Sequence, residues 1–152
     1  MARLDSKLEA KGAEYLVLGN LLIWGLDAHL AYANTPGHDV IAINPKHDRL
    51  CRIQVKSRWA KKPRRFVIRN LDSDFVVFVA LNRGPRGPRQ PNVIRVRDAE
   101  SDEPNFYVIP TSVVGKVRQE KGWGTVYLKN IKDLQRYRDA WDLIQTYLEM
   151  KP

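Results

Sequence analysis

The sequence predicts a mixed α/β fold, a central mixed β-sheet flanked by helices. Three observations point there. An apolar-patterned helix opens the chain, and three short strand candidates follow it as a meander. The run Phe75-Val76-Val77-Phe78-Val79-Ala80-Leu81 is then apolar without interruption. Such a run suits a central strand buried on both faces. The meander argues against simple strand–helix alternation, and neither common Gly-rich phosphate loop occurs.

The first helix is predicted over residues 5–23, starting at Asp5 or Ser6. Leu8, Tyr15, Leu18 and Leu22 recur at helical spacing, and Ser6 with Glu9 has the pattern of a capping box. Gly12 and Gly19 weaken the helix slightly and suit close packing against a sheet. A first strand over 27–33 leads into the turn formers Asn34-Thr35-Pro36-Gly37. The second strand is Val40-Ile41-Ala42-Ile43, and a third begins near Leu50 and closes with Gln54-Val55-Lys56. Between them, Asn44-Pro45-Lys46-His47-Asp48-Arg49 is a cluster of turn formers. A basic interlude with Trp59 and Pro63 precedes the buried strand at 75–81. The stretch 83–91 is a loop by composition. Short strands are expected at 93–96 and 106–109, a short helix at 110–119, a turn at Lys121-Gly122-Trp123-Gly124 and a short edge strand at 125–129. A last helix over 131–149 aligns Ile131, Leu134, Tyr137, Trp141, Ile144 and Leu148 on one face, with Tyr137 and Trp141 assigned to packing. No repeat or linker interrupts the chain, so residues 1–152 are expected to form one domain.

With 43% hydrophobic and 28% charged residues, the chain has the composition of an ordinary soluble globular protein. No apolar stretch approaches the ~18 residues that a membrane span needs, and the N-terminus lacks a signal-peptide pattern. The single cysteine, Cys51, excludes an intrachain disulfide and a cysteine-cluster zinc site, and in mid-strand it reads as a small packing residue. A cytoplasmic location is expected. The net charge of +9 is concentrated: nine basic residues and no acid lie between Arg49 and Leu71, and the rest of the chain is balanced. A charge run is ordinarily a solvated loop. Beside the residues considered next, it favours a polyanionic partner, nucleic acid.

If Pro45 to Asp48 form a four-residue turn, Asn44 pairs with Arg49 and, counting outward, Asp39 pairs with Gln54. Opposed residues have Cβ atoms roughly 4.5–5.5 Å apart on one face. Lys56, two residues on, shares that face, while Ile53 and Val55 point into a core. A carboxylate, an amide oxygen and an ammonium thus meet at the end of a hairpin, a set suited to a metal and a phosphate. Glu14 lies mid-helix in a stretch that otherwise reads as buried, where a carboxylate needs a partner or a cation. It either reaches Asp39 and Gln54 or faces solvent beside a lysine.

With these residues identified, the chain resembles the PD-(D/E)xK nuclease superfamily, to which Holliday-junction resolvases, many restriction enzymes and some homing endonucleases belong. The resemblance rests on Glu14, on Gly37-His38-Asp39-Val40-Ile41-Ala42, on Ile53-Gln54-Val55-Lys56-Ser57 and on the order of elements over residues 6–82. Two positions depart from the family pattern: His38 replaces the proline before the aspartate, and Gln54 replaces the usual acid. An amide oxygen still coordinates a hard cation, with weaker or single-metal binding expected. Gln-x-Lys versions are similar to those of some active members.

The resemblance implies a restriction-endonuclease-like core with an αβββαβ order, and a metal-dependent endonuclease that hydrolyses phosphodiester bonds of DNA. By it, Asp39 and the Gln54 side-chain oxygen ligate Mg²⁺ or Mn²⁺ together with the backbone carbonyl of Val55. Glu14 ligates directly or through water, and Lys56 orients the attacking water or stabilises charge on the phosphate. Arg58, Lys61, Lys62, Arg64, Arg65, Arg69 and the loop arginines Arg83, Arg86 and Arg89 would hold the backbone of duplex or branched DNA. Ser57 and His38 are either supporting groups or ordinary surface residues. Cutting both strands would need a homodimer or two sequential events, although no hydrophobic face stands out in the sequence as a dimer surface. Neither a membrane nor a small-molecule cofactor is expected. Two other readings stay open: a nuclease-fold protein that grips DNA without cutting it, and an RNA-binding or RNA-processing protein whose basic block carries the function.

Overall fold

The computed structural model describes residues 6–32, 35–83 and 101–151. Helix α1 (Ser6–Trp24) is followed by strands β1 (Asp27–Leu30), β2 (Val40–Asn44), β3 (Arg49–Ala60), β4 (Arg65–Val67), β5 (Phe75–Arg83) and β6 (Asn105–Pro110). Helix α2 (Thr111–Val117), strand β7 (Thr125–Tyr127) and helix α3 (Trp141–Glu149) complete the order. Among the described residues, a five-stranded sheet runs β1-β2-β3-β5-β6, and β4 pairs with β7 in a separate two-stranded sheet. The pairing of β3 with β5 is parallel and the others are antiparallel, so the central sheet is mixed, as the sequence predicts.

The β2–β3 turn has the predicted register. Asn44 pairs with Arg49 and Val40 with Ile53. The Asn44 side chain accepts a hydrogen bond from the Lys46 amide at 3.1 Å, and Asp48 takes the left-handed conformation (φ 49°) that an Asx residue tolerates. Strand β5 is the buried centre. Val77 and Val79 enter one core with α1 and α3, while Val76 and Phe78 enter a second core beneath α2 and the β4–β7 sheet. Phe78 stacks on Phe66 with ring centroids 5.1 Å apart. Helices therefore flank both faces of the sheet.

Several elements differ from expectation. The crossover from β3 to β5 carries the short strand β4, where an αβββαβ order expects a helix. Strand β3 runs on to Ala60, so the first part of the basic stretch is strand rather than loop. In α1 the sheet-facing residues are Ala13, Val17 and Leu21, with Leu18 packed at their margin, while Leu8, Tyr15 and Leu22 face out. Gly12 and Gly19 do not press against the sheet, since a Cβ at either would meet nothing within 4 Å. The predicted last helix is only its second half. Residues 128–140 form short turns in which Asp133 and Asp139 adopt left-handed backbone, which ends any continuous helix there. Tyr137 and Trp141 are both buried, as assigned, but in different cores. Ala33 and Asn34, the strand expected at 93–96 and the Ser6 side chain of the capping pair lie outside what is described.

Candidate active site

The site forms where β3 outruns β2. Strand β2 begins at Val40, opposite Ile53, and β3 continues for seven residues beyond that pair. Asp39 is anchored through its backbone just there: its amide donates to the Ile53 carbonyl at 2.8 Å, and its carbonyl accepts from the Ala31 amide at 2.9 Å. The next β3 amide toward that edge, Val55, donates instead to the Asp39 carboxylate (Oδ2) at 2.8 Å. Two residues upstream, buried Gly37 has φ +84°, and a Cβ on it would run into the Asp72 side chain at 2.8 Å. That close approach and the left-handed φ together require glycine at the entry to the loop.

Alternation along β3 sends Ile53 into the first core, with Val55 packed at its margin, and puts Gln54 and Lys56 on the opposite face. Gln54 is 8% exposed, and its Oε1 is buried without a hydrogen-bond partner among the described residues. An orphaned buried oxygen is costly unless water or a bound cation completes it.

Glu14 comes from α1, one residue past the buried Ala13. Its side chain is 18% exposed and bonded to Lys11 Nζ at 3.2 Å. Burial raises its pKa above the usual carboxylate value; Lys11 pulls it down, while the charge of Asp39 and a hydrogen bond with it push it up. Of the alternatives open from sequence, the pairing with a lysine is present, and Glu14 also lies close enough to Asp39 for that charge to act on it. Lys56 is shifted the other way. Burial lowers its pKa, the Asp39 carboxylate opposes this, and the Arg69 and Arg58 charges add to the lowering. Among the described residues no three His, Cys, Asp or Glu side chains gather as a metal cluster. Glu14, Asp39 and the Gln54 amide oxygen would together offer two carboxylates and one neutral oxygen, donor types that suit a hard, oxygen-seeking divalent cation.

A cleft of about 800 Å³ extends from Val55, Lys56 and Ser57 along the basic stretch, and Arg58, Lys61, Lys62, Arg64 and Arg65 line it. Arg58 Nε donates to the Arg65 carbonyl at 3.0 Å, and Lys61 pairs with Asp102 at 3.3 Å. Arg69 stands apart from this row, with its guanidinium 5.3 Å from the centre of the Trp123 ring. Arg83 ends β5 opposite Ala60, away from the carboxylates; Arg86 and Arg89 lie outside the described residues. His38 is half-buried beside Asp39 in sequence. Cys51 is fully buried, and burial pushes its thiol pKa far up, which fits an inert packing role. The turn at 121–124 reads in sequence as turn chemistry alone. A tryptophan set between two glycines, Gly122-Trp123-Gly124, was the available signal for more.

No protein-family model matches the chain, and neither does any curated protein. Among solved structures it is similar to a bacterial homing endonuclease, I-Ssp6803I, with 20% identity, 93% of each chain covered and a TM-score of 0.59. This likeness shows a shared fold.

Proposed function

We propose that this protein is a metal-dependent endonuclease that hydrolyses phosphodiester bonds of DNA, with a PD-(D/E)xK-type site in a Gln-x-Lys version. The observation that carries the reading is the unpartnered, buried Gln54 Oε1 on the strand beside Asp39, with Glu14 and Lys56 bordering the same carboxylate. Asp39, Gln54 and Glu14 would hold Mg²⁺ or Mn²⁺, joined by the Val55 carbonyl. When bound, such a cation polarises a phosphate and lowers the pKa of a coordinated water.

The chain's own residues do the rest. Asp39 ties the site to β3 through the Val55 amide and keeps its second oxygen free of that bond. Lys56 places a positive charge, or a readily released proton, beside the scissile phosphate, where negative charge grows in the transition state. The basic row Arg58, Lys61, Lys62, Arg64 and Arg65 grips the sugar–phosphate backbone from the cleft, and Arg69 adds a contact apart from that row. Contacts of this kind bind in a salt-dependent way and fix position more than sequence. DNA is favoured over RNA because the structural neighbour is a homing endonuclease.

Cutting both strands takes two sites or two sequential events, and the outward face of α1 suits a second copy. Leu8, Tyr15, Leu22 and Ile23 are exposed along it, Ile23 by 89%. Tyr15→Lys with Leu22→Lys should therefore lower the mass seen by sedimentation. No helix among the described residues is long and apolar enough to cross a membrane. The proposed setting is the cytoplasm.

Lys56→Ala tests the catalytic reading. Cleavage should fall at least ~100-fold, a loss of ~2.7 kcal/mol in transition-state stabilisation. Binding to DNA should stay within a few-fold. Undiminished cleavage by that variant would reject the assignment.

A further inference from the structure

The turn between α2 and β7 carries a residue that the proposed chemistry does not use. Trp123 is 69% exposed, on a surface where a large aromatic ring has no packing reason to be. It is also rigidly presented. Gly122 and Gly124 flank it with φ +79° and +80°, and a Cβ at Gly124 would strike the Ile68 carbonyl and the Arg118 guanidinium. The Ile68 amide donates to the Gly124 carbonyl at 3.0 Å. Arg118 clamps the neighbouring strand end, donating from Nε to the Ile68 carbonyl at 2.7 Å and from Nη2 to the Arg69 carbonyl at 2.9 Å.

Arg69 stacks its guanidinium on the indole, 5.3 Å from the ring centre. The ring therefore carries its own cation. Indole and guanidinium together form a platform for a nucleobase, with a donor at hand for the adjoining phosphate. A paired base inside a duplex has both faces covered by its neighbours. Only an unpaired, extruded or terminal base can lie on such a ring.

We infer that Trp123, backed by Arg69, is a stacking site for an unpaired base of the DNA substrate, so that the protein prefers DNA with a locally opened duplex. This deepens the nuclease reading and rests on it for the nature of the substrate.

The test measures binding in EDTA, where cutting is suppressed, by fluorescence anisotropy. The probes are two duplexes identical except for a single-nucleotide bulge. Wild type should bind the bulged duplex on the order of tenfold more tightly, the range expected for one base on one aromatic ring. Trp123→Ala should lose that preference while binding the paired duplex within about twofold, and Trp123→Phe should keep part of it. Equal binding of both duplexes by wild type, or an unchanged preference in Trp123→Ala, would overturn the inference. Because the ring is exposed, an unaltered melting temperature should accompany each variant and exclude misfolding as the cause. Failure of the nuclease reading is seen separately, as absence of metal-dependent cleavage, and leaves the binding ratio unaffected.

Discussion

Replacing Asp39 by alanine and by asparagine separates its hydrogen bond from its charge. The bond from the Val55 amide to Oδ2 is 2.8 Å long and charge-assisted, of a class worth about 1.5–3 kcal/mol. Asp39 is only partly buried, so water can take over some of the lost interaction. Asp39→Ala should therefore cost near the low end of that range, about 1.5 kcal/mol. For a chain of this size each ~1 kcal/mol moves the Tm by about 2–4 °C, so the alanine variant should melt about 3–6 °C below wild type. Asp39→Asn keeps an oxygen that can accept the Val55 amide and removes a negative charge that borders Glu14. Its Tm should stay within about 2 °C of wild type. Cleavage should nevertheless fall at least ~100-fold in both, because both lose a metal-binding carboxylate. Thermal unfolding and a metal-supplemented cleavage assay on the same preparations read the two effects. Asp39→Asn that cuts within a few-fold of wild type would refute the role of the charge. Asp39→Ala that melts with wild type would refute the structural role of the bond.

Further outcomes follow from the same geometry. Glu14 has a raised pKa in the fold, so the folded state holds its proton more tightly than the unfolded chain; ionising it as pH rises past 4.5 costs stability. In EDTA, Glu14→Gln should thus melt higher than wild type at pH 7 and lose that advantage near pH 4; a lower Tm at pH 7 would contradict the assignment. Lys56 has a lowered pKa, so the proton-binding sign is reversed, and its contribution to stability should improve as pH rises through the folded value toward 10.5. Comparing wild type with Lys56→Met across pH 8–11 by chemical denaturation checks this, and a flat difference would contradict it. Gly124→Ala forces a side chain into left-handed backbone against the Ile68 carbonyl, and should lower Tm by at least ~4 °C; Gly12→Ala, mid-helix and in open space, should raise it slightly. Phe78→Ala empties a fully buried site stacked on Phe66 and should cost about 3–5 kcal/mol in denaturant unfolding.

The hairpin and the buried strand were legible in the sequence for local reasons. Asn44, Pro45 and Asp48 are turn formers whose chemistry sets the register, and register fixes which β3 residues share a face with Asp39. The interior position of β5, between β3 and β6, followed from its unbroken apolar run. Other features turned on tertiary context. Helix α1 carries large apolar residues around most of its circumference, so periodicity alone did not choose Ala13, Val17 and Leu21 as the buried face over Leu8, Tyr15 and Leu22. In residues 131–140 the apolar spacing is helical, but Asp133 and Asp139 turn the backbone left-handed. Strand β4 is three residues long between basic flanks, and only its contact with β7 and Phe78 makes Phe66 a core residue. The orphaned oxygen of Gln54 and the pairing of Trp123 with Arg69 are matters of distance, which spacing along a chain does not contain.

The most direct test of the central claim is a cleavage assay with wild type and Gln54→Glu on duplex, single-stranded and branched DNA and on RNA, each with Mg²⁺, Mn²⁺ or EDTA. Wild type should cut DNA with either metal and not in EDTA, and Gln54→Glu, which restores the usual acid, should cut at least as well. Absence of metal-dependent cutting of DNA by both proteins would contradict the account and leave a nucleic-acid-binding protein on a nuclease-like frame.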